Sequence, residues 1–404
     1  MKKVLNKFNK PTKKILLFGV FFTFVSNISG GLFTLYLWRL EESFKIVITY
    51  SIISYFFVHL SYILASFIIS RISTKLSLYL SFFTQITALA SIIIFKEEIL
   101  KLLYIQAILK GIASGLFWAP FNFLVLRKTK DNNRDLFYSL QASLNILLGL
   151  FLPLISGLVI GNAAIQGFSG YYKLYILSII GNLLLVLYSM FLPELKKQPF
   201  TLKGLFKIIT HKDWKILGGS KIMKSFFSVS RNYILKIFSL NTLTSELNLG
   251  IFDTVTNILN ALYLFIIGKK MQAKKRISNV RISMILLLFA DLIFITLLTP
   301  LALFIKELLY ILASPFFSIS SDNIYMKALE KEDNKNNNGL ELLAAGEIYI
   351  FLGRILGLSV FLIFLQFGNQ IYITRIFFAF VSLSRLLIYI LTKKIDECDN
   401  QIKD

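Results

Sequence analysis

An all-α polytopic membrane protein, with about twelve transmembrane helices in two six-helix halves, is the fold class this sequence predicts. Three observations predict it. Of the 404 residues 56% are hydrophobic and only 16% charged, against about 45–50% and about 25% in soluble domains, and 39 Phe would swamp any soluble core. Apolar stretches of about 20 residues, the length that crosses a bilayer, recur along the whole chain. The Lys and Arg fall in short clusters between those stretches, on alternating connections.

The first span, at about 15–38, follows the basic start "MKKVLNKFNKPTKK". Its apolar run is too long for a signal-peptide core and has no small-residue cleavage site, so it reads as a retained helix. Further spans are expected at about 46–70, 76–95, 102–126, 136–160, 171–192, 217–240, 247–268, 280–299, 302–326, 341–367 and 371–392, with ends good to a few residues. The connection Thr299–Pro300 is so short that its neighbours must be antiparallel. The longest polar connection, "PELKKQPFTLKGLFKIITHKDWK", divides the chain into an N-terminal half (1–193), a linker (194–215) and a C-terminal half with a short tail (216–404). A second polar stretch, "EKEDNKNNNGLE" at 330–341, reads as a mobile solvated turn. "ASGLFWAPFN" from Ala113 and "ASPFFSISSD" from Ala313 form a faint repeat that sets Asn122 opposite Asp322 and Arg127 opposite Lys327.

Orientation follows from Lys and Arg near helix ends. One side holds Lys2, Lys3, Lys7, Lys10, Lys13, Lys14, Arg71, Lys75, Arg127, Lys128, Lys130, Arg134, Lys196, Lys197, Lys203, Lys207 and Lys212, then Lys269, Lys270, Lys274, Lys275 and Arg276. The other side holds few cations, with Glu41, Glu42, Glu97 and Glu98. Both termini are therefore expected in the cytoplasm, with the chain in the cell (plasma or inner) membrane. The net charge of +22 is spread over these connections rather than gathered on one soluble face, which argues against nucleic acid. One cysteine, Cys398, rules out a disulfide framework and a Cys-rich metal site. With two His, one Cys, no paired-acid catalytic motif and no nucleotide-binding Gly-x-x-x-x-Gly-Lys-Ser/Thr sequence, the chain is expected to be neither an enzyme nor an ATP-driven machine, and to hold no cofactor or metal.

Charges inside the spans are the informative residues. An Arg or Lys at mid-bilayer costs about 2.5–3.5 kcal/mol on insertion scales, so it faces a bundle interior, a partner or water. Lys221, Lys224, Ser228 and Arg231 share one face of the seventh span. Lys221 and Lys224 lie near its cytoplasmic end and could snorkel to headgroups; Arg231 lies deeper and could pair with Asp253. Lys110 sits well inside the fourth span beside Gly111, Ser114 and Gly115. Buried groups able to exchange a proton are Asp253, Asp291, Glu347 and His59, with Arg354 one face-repeat beyond Glu347 as a structural or gating partner.

Twelve spans in two halves, both ends inside and a basic central connection together resemble the major facilitator superfamily. The stretch "SFIISRISTK", Ser66 to Lys75, is similar to that family's Gly-x-x-x-Asp-Arg-x-Gly-Arg-Lys loop, keeping Arg71 and Lys75 but with Ser at the Gly and Asp positions. "IIGKKMQAKKR" is the equivalent loop of the second half and also lacks the acid, which leaves the usual charge link to a neighbouring helix without its carboxylate. Gly149, Pro153 and Gly157 partly echo a fifth-span Gly-Pro pattern of drug–proton antiporters, with Leu152 and Ser156 departing from it; small residues for close helix packing are the plainer account. The resemblance implies a central cavity lined by the first, fourth, seventh and tenth spans. It implies secondary transport of a small solute by alternating access, coupled to protons, by a monomer in the bilayer.

On that footing Lys110, Arg231, Lys224, Asn27, Trp118 and Asn122 are substrate-contact candidates, with Ser29 beside Gly30–Gly31, Gln141 and Asn145 as further polar groups. Submerged cations would favour an anionic solute. A drug–proton efflux antiporter, a lipid-linked flippase and a non-transporting sensor or partner subunit stay open as alternatives.

Overall fold

The computed structural model of the protein describes residues 8–41, 44–150, 169–243, 246–268, 270–364, 366 and 370–401. Among the described residues there is no strand. The helices are α1 (Lys10–Glu41), α2 (Phe44–Arg71), α3 (Thr74–Phe95), α4 (Leu103–Lys128), α5 (Asp131–Gly149), α6 (Ser169–Ser189), α7 (Leu202–Thr210), α8 (Lys212–Leu243), α9 (Glu246–Ile267), α10 (Arg276–Leu297), α11 (Pro300–Asn336), α12 (Gly339–Phe364) and α13 (Gln370–Gln401). Twelve of them follow the predicted spans in order; α7 is extra and falls in the central connection. Among the described residues, eight are long and apolar enough to cross a membrane. The protein is an all-α, multi-pass membrane protein.

Local chemistry sets the helix ends. Ser73 caps α3, its Oγ accepting from Leu76 N–H at 3.1 Å. Thr299 does the same for α11, accepting from Ala302 N–H at 3.2 Å, with Pro300 at the first helical position where no N–H is needed. The stretch 330–341 departs from expectation. Instead of a solvated turn it continues α11 to Asn336, where Asn336 Nδ2 donates to Glu332 Oε1 one turn back at 2.6 Å. The break is confined to Asn337 and Asn338, Asn337 taking the left-handed conformation (φ 51°) that Asn tolerates better than most residues. Of the fifth-span pattern, Gly149 ends α5, while Leu152, Pro153, Ser156 and Gly157 lie outside the described residues.

The chain forms two compact units. One comprises Met1–Lys130, Leu144–Leu202 and Asn337–Ala344; the other Asp131–Ser143, Lys203–Asn336 and Ala345–Asp404. In the first, α2 and α4 approach closely. A β-carbon on Gly111 would meet Ser54 O at 2.5 Å and Phe57 Cβ at 2.6 Å, and one on Gly115 would collide with Ser61, Val58 O and Tyr62 N. The small-residue face beside Lys110 is thus a packing surface, the usual use of small residues between membrane helices. Pro120 inside α4 has no N–H for the carbonyl of Leu116, and Ser77 of α3 replaces it, its Oγ donating to Leu116 O at 2.7 Å. Phe18, Phe82 and Phe117 form the adjoining aromatic core.

In the second unit α12 presents Gly353 and Gly357 to α8. A β-carbon on Gly353 would strike Ile222 O, and one on Gly357 would lie 2.9 Å from Ser230 Oγ. This closeness fixes the register of α8, and with it the depth of its charged face.

Candidate functional site

The polar groups of the second unit gather along the seam between α8 and α11, where the helical repeat brings the two charged faces together. Lys221 and Lys224 both reach Asp322, at 3.2 and 2.6 Å. Lys224 Nζ also donates to Ser318 O and Ser321 Oγ, each at 3.1 Å, and Lys221 sits 4.1 Å above the Tyr325 ring. These two lysines are bound across the seam rather than extended toward headgroups. Asp322 is the carboxylate that both lysines share by direct contact.

Further along α8, Arg231 is 3.8 Å from Glu307 and stacks 3.7 Å over the Tyr310 ring. Lys306 is fully buried and pairs with the same Glu307. Behind them, Asp291 of α10 accepts from Arg385 of α13 at 2.5 Å and from Ser382 Oγ at 2.6 Å. Arg385 in turn covers the Phe227 ring at 4.3 Å. Each of these charges would cost a few kcal/mol alone in hydrocarbon, and pairing offsets most of that.

A third cluster joins the start of α5 to α10 and α11. Arg276 donates to Asp131 Oδ1 at 2.6 Å and to Asp135 Oδ2 at 2.9 Å, and Asn323 Nδ2 donates to Asp135 Oδ1 at 2.5 Å. Arg134 reaches Glu330 at 2.7 Å. The charge link that the α9–α10 connection lacks in its own sequence is therefore supplied from α5. In the first unit Lys75 performs a looser version, 3.5 Å from Glu194 and donating to Met190 O at 3.0 Å, while Arg71 offers its carbonyl to Lys197 at 2.7 Å.

The remaining expected residues are placed as follows. Lys110 is half-buried and has no ion pair among the described residues. Asn27 is exposed; Trp118 is 37% exposed and set edge-on to Phe117 and Phe121. Asn122 donates to Tyr62 Oη at 3.3 Å. Gln141 is buried and Asn145 half-buried on α5, and His59 is half-buried on α2. Glu347 and Arg354 lie 3.7 Å apart. The side chains of Asp253 and Ser29 lie outside those described, as do Gly30 and Gly31, and the described partner of Arg231 is Glu307.

Sequence reading named both members of the Glu347–Arg354 pair, named Arg231, Asp291 and Arg276 without their partners, and missed Lys306, Glu307, Arg385 and Asp135. A signal was present for three of them, because "LALFIKELLY" and "FVSLSRLLIY" carry charges in the middle of apolar runs. Among the described residues no group of three His, Cys, Asp or Glu side chains converges as a metal site.

No protein-family model matches the chain. A curated relative from Geobacillus stearothermophilus, an uncharacterised protein in the sodM 3′ region, is 23% identical over 163 residues, 40% of this chain and 75% of its own. Among solved structures, a bacterial homologue of the iron transporter ferroportin in its outward-facing state superposes with TM-score 0.73 at 12% identity, over 96% of this chain and 100% of that one. The E. coli fucose:proton symporter FucP gives 0.68 at 13% identity, over 96% and 99%. The human organic anion transporter MFSD10 gives 0.66 at 14% identity, over 95% and 100%. The fold is that of the major facilitator superfamily, to which FucP belongs, and these neighbours are transporters rather than enzymes.

Proposed function

We propose that this protein is a secondary active transporter that moves a small organic solute carrying an anionic group, by alternating access, with proton coupling, as a monomer in the cell membrane with both termini in the cytoplasm. The observation that carries the reading is the surplus of positive charge along the α8–α11 seam. Lys221 and Lys224 share one carboxylate, Asp322, and Arg231 and Lys306 share another, Glu307. Such a surplus in a low-dielectric surround attracts anions. Within the first unit, Lys110 has no ion pair among the described residues, and with Asn27, Trp118 and Asn122 it is a further candidate for solute contact.

The fold neighbours include a symporter of fucose and protons and a transporter of organic anions, so both the coupling and the substrate class have precedent on this fold. Glu347 suits the proton-carrying role better than Asp291. Its ion pair with Arg354 is long, at 3.7 Å, whereas Asp291 is held by a guanidinium and a hydroxyl at once.

The test is flux in proteoliposomes. Uptake of organic anions should exceed that of cationic drugs and neutral sugars. An inward proton gradient should raise it, and Glu347→Gln should remove that gradient dependence while leaving exchange intact. Equal flux of all three solute classes overturns the anion assignment. Indifference to the gradient overturns the coupling alone.

A further inference from the structure

The cluster of Arg231, Lys306 and Arg385 against Glu307 and Asp291 holds three cations and two carboxylates, all in the second unit. It is one electrostatic body. Lys306 and Glu307 pair directly, Arg231 bears on both, and Arg385 feels Asp291, Tyr310 and Arg231 together. All five groups are more than four-fifths hidden as side chains, and Lys306, Arg385 and Asp291 are essentially inaccessible: 0%, 0% and 1% exposed. Two observations point the same way. Among the described residues, one positive charge of the cluster has no counter-charge. Among them too, three guanidinium donor atoms, Arg231 Nε and Arg385 Nε and Nη2, are buried without an acceptor, against one buried acceptor, Asp291 Oδ1, without a donor. An unsatisfied buried donor on a charged group costs more than a neutral one, and a buried net charge costs several kcal/mol.

We propose that this cluster is an anion-binding site, taking one small monovalent anion (a halide, or the carboxylate of a larger solute) between Arg231, Lys306 and Arg385. Guanidinium N–H groups suit such a ligand, because they donate from a planar fork and keep their charge. Tyr310 is stacked on Arg231 and lies 5.7 Å from Lys306 Nζ, and Phe294 and Phe227 lie against Lys306 and Arg385 at 5.7 and 4.3 Å. Aromatic faces exclude water there and keep the dielectric low. The assignment requires the buried cluster only and is independent of whether the protein transports anything.

The charge count predicts an order among variants. Lys306→Met leaves two cations on two carboxylates, so the site loses its reason to hold an anion. Glu307→Gln leaves three cations on one carboxylate, so affinity rises. The measurement is thermal unfolding of the purified protein at fixed pH and ionic strength, titrating chloride against the bulky anion gluconate, with acetate as the carboxylate probe. For the wild type, the melting temperature should climb saturably by a few degrees with chloride or acetate. Glu307→Gln should reach the same rise at several-fold lower anion concentration, and Lys306→Met should show no anion dependence while remaining folded in gluconate. Bromide soaked into crystals should give an anomalous peak within hydrogen-bonding distance of Arg231 or Arg385. A halide response without an acetate response marks an inorganic site; a response to both marks one that also accepts a solute carboxylate. A wild type indifferent to both anions, or an equal response in Lys306→Met, overturns the proposal. Loss of flux with anion-dependent melting preserved would instead count against transport alone.

Discussion

Asp322 is the carboxylate shared by two lysines of the α8–α11 seam. It receives Lys224 at 2.6 Å and Lys221 at 3.2 Å, so removing its charge leaves two cations facing each other in a low-dielectric surround. Deleting one partner of a fully buried pair costs about 3–5 kcal/mol, but the Asp322 side chain is 38% exposed and water screens the lysines left behind. Asp322→Asn should therefore lower stability by about 1–2 kcal/mol, read as a drop in melting temperature and a fall in folded yield from detergent. Lys221→Met should cost less, because one lysine then balances one aspartate. The double variant Asp322→Asn with Lys224→Met should recover part of the loss, since one unpaired lysine remains instead of two. If Asp322→Asn melted as the wild type does, the seam would not be held by this ion pair. A second residue, Ser77, is a hydroxyl with a backbone duty: it donates to the carbonyl that Pro120 leaves without a partner. Ser77→Ala should cost about 1–3 kcal/mol, the loss expected for a buried acceptor left unmet, whereas Ser77→Thr should keep most of it. Equal melting of Ser77→Ala and wild type would show that another donor serves Leu116.

At the scale of helices, close approach and charge links decide which elements stay together. Gly111 and Gly115 of α4 meet backbone atoms of α2, and backbone cannot swing aside as a flexible side chain can. Gly115→Ala should destabilise by about 1–3 kcal/mol through overpacking. Gly149→Ala, with nothing among the described residues within 4 Å of its β-carbon, should be neutral or slightly stabilising. Thermal unfolding of the two variants side by side settles the comparison, and equal melting would show that α2 and α4 are not held by that contact. These elements were largely legible in the sequence: length, hydropathy and a period of 3.6 gave the spans and put Lys221, Lys224 and Arg231 on one face. The partners were not legible. Asp322 lies 98 residues beyond Lys224 in sequence and Asp135 lies 141 before Arg276, and no local spacing relates residues so far apart. The polar run 330–341 misled for a different reason. Its Asn and charged residues read as a loop by composition, yet Glu332 and Asn336 bond along a helix that tertiary support carries onward.

The whole molecule is read through where its charge lies relative to the bilayer, and that reading makes the widest prediction. The basic connections all fall on one face of the predicted topology, so residues of the α9–α10 connection should be cytoplasmic and those of the α3–α4 connection external. The chain's lone cysteine, Cys398, makes the experiment clean once it is replaced by Ser. Lys270 and Glu98 are exposed in the structure, so a cysteine at either should be reachable from whichever side it faces. In intact cells a membrane-impermeant maleimide should label Glu98→Cys and spare Lys270→Cys. In inverted vesicles the pattern should reverse, and Lys130→Cys should behave as Lys270→Cys does. The fold requires these sites to alternate because each apolar helix reverses the chain, so one misplaced span would flip everything after it. Labelling of both residues from the same side would mean that an odd number of the helices between them fails to cross. The arrangement of an even number of crossings, and with it the transport reading built on this fold, would then have to be abandoned.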